Sequence, residues 1–580
     1  MQESTAESPH GAAEAPTVLG PLAASLVVTA LFAWTRPRSL PDFDAAEFLL
    51  LARKGGIAHP PGYPVYTLAL RFWSSWVGDD VASFTLLSAL FCGAAAGLLC
   101  HALRQFSSSA TALFATLTVV TAEPLWRTGT NLEPFALHLL LTSLVVTSIG
   151  FLLRPNEHTR QRGAWLAGLS LGLGLCHHHT LAFAVPSVFV AMVLPARGVT
   201  ARMLLFLCGC LIGALPLLRF LWAHEEPGFV WGDWKAPLLT TWSHLLREEY
   251  GTFSLARGTQ GSPLTGLSLF ALRWCGGLSV VFVLPCVLGV REFLAARSHR
   301  RAFLVFASLW LFAGPGFACL LRIDEAPDAM AIAERFFAMP LLLTAPFLAL
   351  GLDAWKNRVA RWRMGAWLWI LLLAHIGLQL QSADRRGETL FATHTAAVQR
   401  QLPADALLIG SSDVDNSVGL ALRADAETVP FHHLMVGLLE LPWYRAAAAR
   451  RIDADMPVHE NALEDFVRRT AQRRPVLVSA SAAHHDGVPW SGGQALGPLV
   501  RFGGPGRSAQ ERLSITLQDL DRLQVTDLSE VTPWEDGVLE EWRAGLHWLA
   551  MELQQEGDVE AAARARAALA ALLPAVEQRR

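Results

Sequence analysis

Long apolar runs separated by short polar breaks fill residues 18–381, and the pattern stops near residue 383. A helix needs about 20 apolar residues to cross a bilayer, somewhat fewer in practice. Eleven runs qualify: 18–35, 81–103, 109–123, 132–153, 163–176, 180–194, 203–222, 267–290, 302–321, 335–352 and 365–381. The short pair 163–176 and 180–194, hinged at Cys176-His177-His178-His179-Thr180, reads as one broken or re-entrant unit. Farther on, 406–410 and 476–481 read as short buried strands, and 536–574 as two amphipathic helices around Glu556-Gly557-Asp558. The pattern predicts a mainly α, polytopic membrane protein with about 11 transmembrane helices and a smaller C-terminal extramembrane domain. That domain is expected to be α/β over 383–530 and a tetratricopeptide-like helical hairpin over 531–580. Stable arrays of such hairpins take about three units, so a single one is expected to be a docked cap. Residues 1–17, rich in Ala, Glu, Ser and Pro, read as a disordered tail before the membrane domain at 18–382. The first run lacks a basic leader and a small-residue cleavage site, and is expected to be a retained span.

Composition agrees. The chain is 52% hydrophobic and 17% charged with mean hydropathy +0.34, whereas soluble domains are about a quarter charged. A formal net charge of −3 offers nucleic acid nothing to bind. All eight cysteines lie in the apolar two-thirds with no CxxC pair, which argues against a disulfide framework or a zinc site.

Arginine and lysine concentrate in cytoplasmic loops. Four alternate loops carry Arg154, Arg160 and Arg162; Arg197 and Arg202; Arg291, Arg297, Arg300 and Arg301; and Lys356, Arg358, Arg361 and Arg363. They share one side if the N-terminus is cytoplasmic, and an odd number of spans then leaves the C-terminal domain extracytoplasmic. The expected setting is a bacterial inner membrane.

The opposite side gathers the chemistry. It holds Asp42, Asp44, Glu47 and His59, then Glu123, Arg127 and Glu133, then His177 to His179, Trp231, Asp233, Trp234 and Lys235, and finally Arg322, Asp324, Glu325, Glu334 and Arg335. Solvated loops are polar anyway, but Glu133 and Arg335 sit at the edges of apolar runs, where an unpaired charge is costly. The first outer loop, 36–80, is the most distinctive. Residues 42–54 read as a short amphipathic helix in the membrane interface, with Asp42 as its N-cap and Asp44 and Glu47 on one face. His59-Pro60-Pro61-Gly62-Tyr63-Pro64 cannot be helical and pins His59 and Tyr63. Residues 64–77, with two tryptophans, suit a second interfacial helix. Spacing alone leaves three roles for the carboxylate pair: general base, divalent-metal ligand, or capping with a salt bridge to Arg53.

The block Asp44-Ala45-Ala46-Glu47-Phe48, followed by Gly56-Ile57-Ala58-His59-Pro60-Pro61-Gly62-Tyr63-Pro64, resembles the signature of a family of multi-spanning proteins. Its animal member is a protein O-mannosyltransferase of plexins and related receptors, within the GT-C superfamily of membrane glycosyltransferases. Asn131-Leu132-Glu133-Pro134-Phe135-Ala136-Leu137-His138, Gly168 to Leu173 with His178-His179-Thr180, Trp231-Gly232-Asp233, Glu249-Tyr250-Gly251, Glu334-Arg335-Phe336, and Pro403 to Asn416 with Pro442-Trp443-Tyr444 are similar to further family motifs in order. Ala45-Ala46 stands where the family has Ser-Gly, and Pro134-Phe135 where it has Val-Tyr.

The resemblance implies a GT-C-like fold and a polyprenyl-phosphate sugar donor, its tails among the membrane lipids and its phosphate at the outer face. Asp44 is then the base that deprotonates an acceptor hydroxyl of a protein or glycan, with inversion at the sugar, and Glu47 assists. Arg335 is the first candidate for the phosphate, with His59 and Arg127 behind it. Trp231 and Asp233 are expected at the sugar, and Tyr63, Glu133, His178, His179 and Glu334 complete the substrate-binding set. No cofactor is required by this reading, and a divalent metal stays open. A transporter or flippase, and a non-catalytic scaffold, are the competing readings. Polar residues at one face and no evident inverted repeat argue against the first. The retained Asp44, Glu47 and His59 argue against the second.

Overall fold

The computed structural model describes residues 18–42, 44–251, 261–295, 300–323, 325–358, 364–425, 427–457, 462–485, 488–523 and 531–573. Among these, five helices are long and apolar enough to cross a membrane: Val81–Leu103, Phe135–Leu152, Val199–Ala223, Arg300–Leu321 and Ala366–Ala383. Two bent pairs raise that to seven: Pro263–Gly277 with Val280–Ala295, turning by 92°, and Ala329–Leu342 with Ala345–Lys356, turning by 46°. Leu19–Thr35, Ser109–Val120 and His179–Val193 are apolar but shorter. Length separates this count from the sequence count of eleven, because several runs form helices interrupted by turns.

Small residues set the closest approach. Gly168 and Gly172 on Glu157–His177 face Gly209 and Gly213 on Val199–Gly213. A Cβ on Gly168 would lie 2.0 Å from the Phe206 carbonyl oxygen, and one on Gly213 would lie 2.6 Å from that of Leu169. This is the small-xxx-small packing of apolar helices, where backbone contact replaces side-chain interdigitation.

Beyond Ala383 the described chain forms a five-stranded sheet in the order 432–435, 407–410, 476–479, 499–502, 494–496. The first three strands are parallel and the last two antiparallel. The strands expected at 406–410 and 476–481 are those at Leu407–Gly410 and Val476–Ser479, buried throughout. Ser412 caps the helix Asp413–Ala424 in a reciprocal box with Asp415. A helical hairpin, Pro533–Gln555 and Val559–Ala571, closes the described chain, with Ala561, Ala562 and Ala565 buried between its arms.

Two expectations for the first outer loop are corrected. The helix there is Ala45–Lys54, and Ala45 through Ala52 are all buried, so it does not lie along an interface. Asp413–Ala424 packs on it from outside the membrane helices. Asp42 is not its N-cap; Asp44 holds that position, without a capping side-chain bond, and Asp42 binds Arg385 at 2.7 Å. A buried guanidinium is the stronger partner for a buried carboxylate. The second loop helix, Pro64–Trp76, does expose Leu68, Phe72 and Trp76.

Candidate active site

Backbone constraints hold the first loop in place. Gly56-Ile57 pairs in parallel with Phe229-Val230. Gly56 has φ +115, and a Cβ there would sit 2.0 Å from the Phe229 carbonyl oxygen, so only glycine fits. Buried Arg219 holds Glu226 at 2.8 Å, and Glu226 accepts the Gly56 N–H at 2.6 Å. Tyr63 takes a left-handed φ of +46 just ahead of Pro64, turning the chain so that its ring meets His59, His177 and His178.

Within this frame Glu47 and His59 lock together. One Glu47 oxygen accepts the His59 backbone N–H at 2.8 Å, and the other lies 2.5 Å from His59 Nδ1. Burial lowers the His59 pKa, but the Glu47 and Asp44 carboxylates outweigh it and raise it to about 8. His59 is therefore an imidazolium at neutral pH, with Nε2 3.4 Å from the Tyr63 hydroxyl.

Asp44 stands beside this pair. Arg335 Nη1 donates to it at 3.1 Å and to Glu133 at 3.0 Å. Burial would raise the Asp44 pKa, but His59 and Arg335 hold it below the usual carboxylate range. Its side chain is 36% exposed, against 7% for Glu47 and 3% for Glu133. Asp44 is thus the most reachable carboxylate of the three. Asp44, Glu47 and His59 each offer one ligand atom, all within 4.8 Å of one another. Glu47 also pairs with His59, and Asp44 with Arg335, so the same three residues belong to a built hydrogen-bond network.

Two cavities lie beside this network, meeting at Arg335 and Phe336. One, of about 860 Å³, is almost wholly apolar and runs among Leu175, Phe183, Leu207, Leu211, Leu217 and Phe317, with His179 and Arg247 as its polar end. The other, of about 810 Å³, is lined by charged residues including Arg127, Glu133, Glu334 and Arg335. Arg335 lines the charged cavity and the next residue, Phe336, lines the apolar one. Phe135, on the charged side, packs edge-on against Phe336 at 5.4 Å. The wall between the cavities is thin and carries the cation that holds Asp44.

The residues singled out from sequence divide accordingly. Asp44, Glu47, His59, Tyr63, Glu133 and Arg335 come together. His178 is buried, binds Thr180 Oγ1 at 2.7 Å, and stacks on His179 at 5.0 Å. Trp231 meets His59 at 6.3 Å. Arg127 lies in the charged cavity, 3.6 Å from Glu123 and 3.8 Å from Asp42, and Glu334 pairs there with Arg273 at 2.6 Å. Asp233 stays apart: it is exposed and pairs with Lys235 at 3.1 Å. Sequence reasoning gave no role to Arg247, at a left-handed φ of +52, or to Glu249, which accepts from the indoles of both Trp231 and Trp443. The Glu249 and Trp443 motifs were visible; nothing local marks Arg247.

The fold is GT-C-like. ArnT from Cupriavidus metallidurans, solved bound to undecaprenyl phosphate, superposes with a TM-score of 0.56 at 13% identity, covering 84% of this chain and 99% of that one. Residues 44–199 match the family model described as Protein O-mannosyl-transferase TMEM260 N-terminal domain. Protein O-mannosyl-transferase TMEM260 of Mus musculus is 28% identical over 433 residues, 70% of this chain and 60% of the mouse protein. The Dictyostelium discoideum protein tmem260, also named as a protein O-mannosyl-transferase, is 22% identical over 513 residues, 78% of this chain and 62% of its own length. The chain therefore spans about three fifths of the length of these curated relatives.

Proposed function

We propose that this protein is a membrane glycosyltransferase that moves a sugar, mannose by the relatives' names, from a polyprenyl-phosphate donor to a hydroxyl acceptor. The observation that carries the reading is the reachable Asp44 bound to Arg335, which lines the charged cavity while its neighbour Phe336 lines the apolar one. The apolar cavity takes the polyprenyl chain, and its polar end, Arg247 and His179, receives the phosphate. The acceptor hydroxyl gives its proton to Asp44 as its oxygen forms a bond to the anomeric carbon. The bond from that carbon to the phosphate oxygen breaks on the opposite face, and polyprenyl phosphate leaves with inversion. His59, held by Glu47, and Arg335 supply positive charge beside the developing negative charge. Trp231 offers a face for the sugar. On this reading the unit at 18–382 performs the transfer, while 383–530 and 531–580 enclose the site from outside the bilayer.

The test is transfer from mannosyl polyprenyl phosphate by the purified protein, with the anomeric configuration of the product read by NMR. Inverted product supports the reading; retained configuration, or no donor turnover with any polyprenyl-phosphate sugar, overturns it.

A further inference from the structure

The helical hairpin is held to the sheet through buried acids. Glu541, on Pro533–Gln555, is 2% exposed and accepts both the Ser481 backbone N–H, at 2.9 Å, and the Ser481 hydroxyl. Ser481 follows the strand Val476–Ser479. At the end of the neighbouring strand, buried Asp415 accepts the N–H groups of Ser411 and Ser412 at 3.2 and 3.1 Å. The Ser411 and Ser479 hydroxyls, 3.3 Å apart, join the ends of these two parallel strands. The two carboxylates thus share one edge of the sheet, within reach of each other's charge.

Among the described residues neither acid is paired with a cation. The arginines on the elements packed around the hairpin are engaged elsewhere. Arg512 holds Glu552, Arg400 and Arg522 hold Asp519, and Arg543 holds Asp536. Arg566 donates to Gln554, Arg501 to the Gly503 carbonyl and Arg423 to the Gly228 carbonyl, and Arg564 sits beside Asp558. His394 accepts the Trp542 indole N–H at 3.1 Å, and burial lowers its pKa to about 4, so it is neutral. Glu540, exposed on the same helix, adds only negative charge. Burial therefore pushes the Glu541 carboxyl well above its ordinary range, and Asp415 pushes it further. Burial also raises Asp415, against the pull of its hydrogen bonds. The cavity against Asp415 and Ser479 is about 10 Å³, room for one water at most, so an ionised pair has no space to be hydrated in place.

The same helix reaches the charged cavity. Its start, Thr532-Pro533-Trp534, lines that cavity together with Arg335. The helix also packs on Pro327–Glu334, the element that leads directly into Arg335. We propose that Glu541 and Asp415 form a proton-dependent latch. With the pair protonated the hairpin is docked and walls the charged cavity; with the pair ionised it lifts from the sheet and the cavity opens. The sign is fixed by linkage. A carboxyl raised in the folded state stabilises docking fully below its ordinary value, 4.5 for Glu541 and 3.8 for Asp415, and the benefit is lost as pH rises through the folded value. The latch stands apart from the transferase reading and holds whatever chemistry occurs at Asp44.

The experiment is amide hydrogen exchange on the full chain in detergent between pH 5 and 9, with rates corrected for the intrinsic effect of pH. Local exchange is read because the Glu47–His59 pair weakens the fold in the same direction. Protection of residues 533–571 is expected to fall about ten-fold or more across this range, beyond any change in the helix Val81–Leu103. Exchange at 327–335 should quicken with it. Glu541→Gln keeps an acceptor for Ser481 without the charge and is expected to hold the hairpin protected at pH 9. Asp415→Asn covers the case in which that variant misfolds, and should move the loss of protection to higher pH. Wild-type protection that does not change with pH overturns the latch, as does the same decline in both variants. A hairpin that loosens while 327–335 keeps its protection overturns the link to the cavity.

Discussion

Arg335 and Asp44, 291 residues apart in the chain, are joined by a 3.1 Å hydrogen bond, and the same guanidinium nitrogen holds Glu133 at 3.0 Å. One arginine thus organises the reachable carboxylate and a buried one. The arrangement makes Arg335 the shared partner of both carboxylates.

Asp44→Asn keeps the hydrogen bond acceptor for Arg335 but loses the base. General base catalysis contributes about 10²- to 10⁴-fold, so transfer should fall by that order while the melting temperature changes little. Transfer assays and thermal unfolding on the same preparation check both halves. Undiminished transfer would move the base elsewhere.

Arg335→Ala leaves Glu133, with a side chain only 3% exposed, without its guanidinium. Breaking a buried pair this way costs about 3 kcal/mol. Adding Glu133→Gln to that variant should restore most of the lost stability without restoring transfer. Stability that fails to recover in the double variant would show that Arg335 acts chiefly through Asp44.

The Glu47–His59 pair carries a pH signature. Burial lowers the His59 pKa, the two carboxylates raise it more, and the folded value is about 8 against 6.5 for the free side chain. A raised folded pKa stabilises the protein fully below pH 6.5, and the benefit disappears as pH rises through about 8. The loss is on the order of 2 kcal/mol. Thermal unfolding of wild type between pH 6 and 9 should show this decline, and Glu47→Gln should flatten it. A wild-type profile that is already flat in this window would remove the lock.

Arg247→Ala removes the cation at the polar end of the apolar cavity. Donor KM should rise about ten-fold, because a phosphate interaction made in the ground state is lost. Steady-state kinetics with varied mannosyl polyprenyl phosphate decide it. A change confined to acceptor KM would contradict the assignment of that end to the phosphate.

Glu249 ties Trp231, next to the strand Phe229-Val230 that pairs with Gly56-Ile57, to the C-terminal sheet region by accepting from Trp231 on one side and from Trp443 at 2.6 Å on the other. Glu249→Ala strands two indole donors and should cost about 1–3 kcal/mol. Hydrogen exchange of residues 431–445 should quicken more than exchange in the membrane helices. Equal protection in variant and wild type would mean that the bridge does not couple the two parts.

The sequence by itself determined what local rules govern. Apolar run length marked the apolar helices but not how many of them are long enough to span, prolines fixed the His59–Pro64 turn, and two short apolar runs marked the strands Leu407–Gly410 and Val476–Ser479. The acidic pair beside a histidine was legible because Asp44, Glu47 and His59 lie within one loop. The tertiary structure decided the rest. It buried the helix Ala45–Lys54 that looked interfacial, because Asp413–Ala424, from more than 350 positions away, covers it. It gave Asp42 to Arg385, 343 residues on, instead of to a helix end, and left Asp233 in solvent with Lys235. It also built the two cavities, and put Arg247 and Trp534 on their walls. Periodicity and composition act over one or two helical turns, so they report which segments become buried. Which charge meets which depends on how distant helices pack, and a lone arginine in a loop carries no mark of the carboxylate or phosphate it will face.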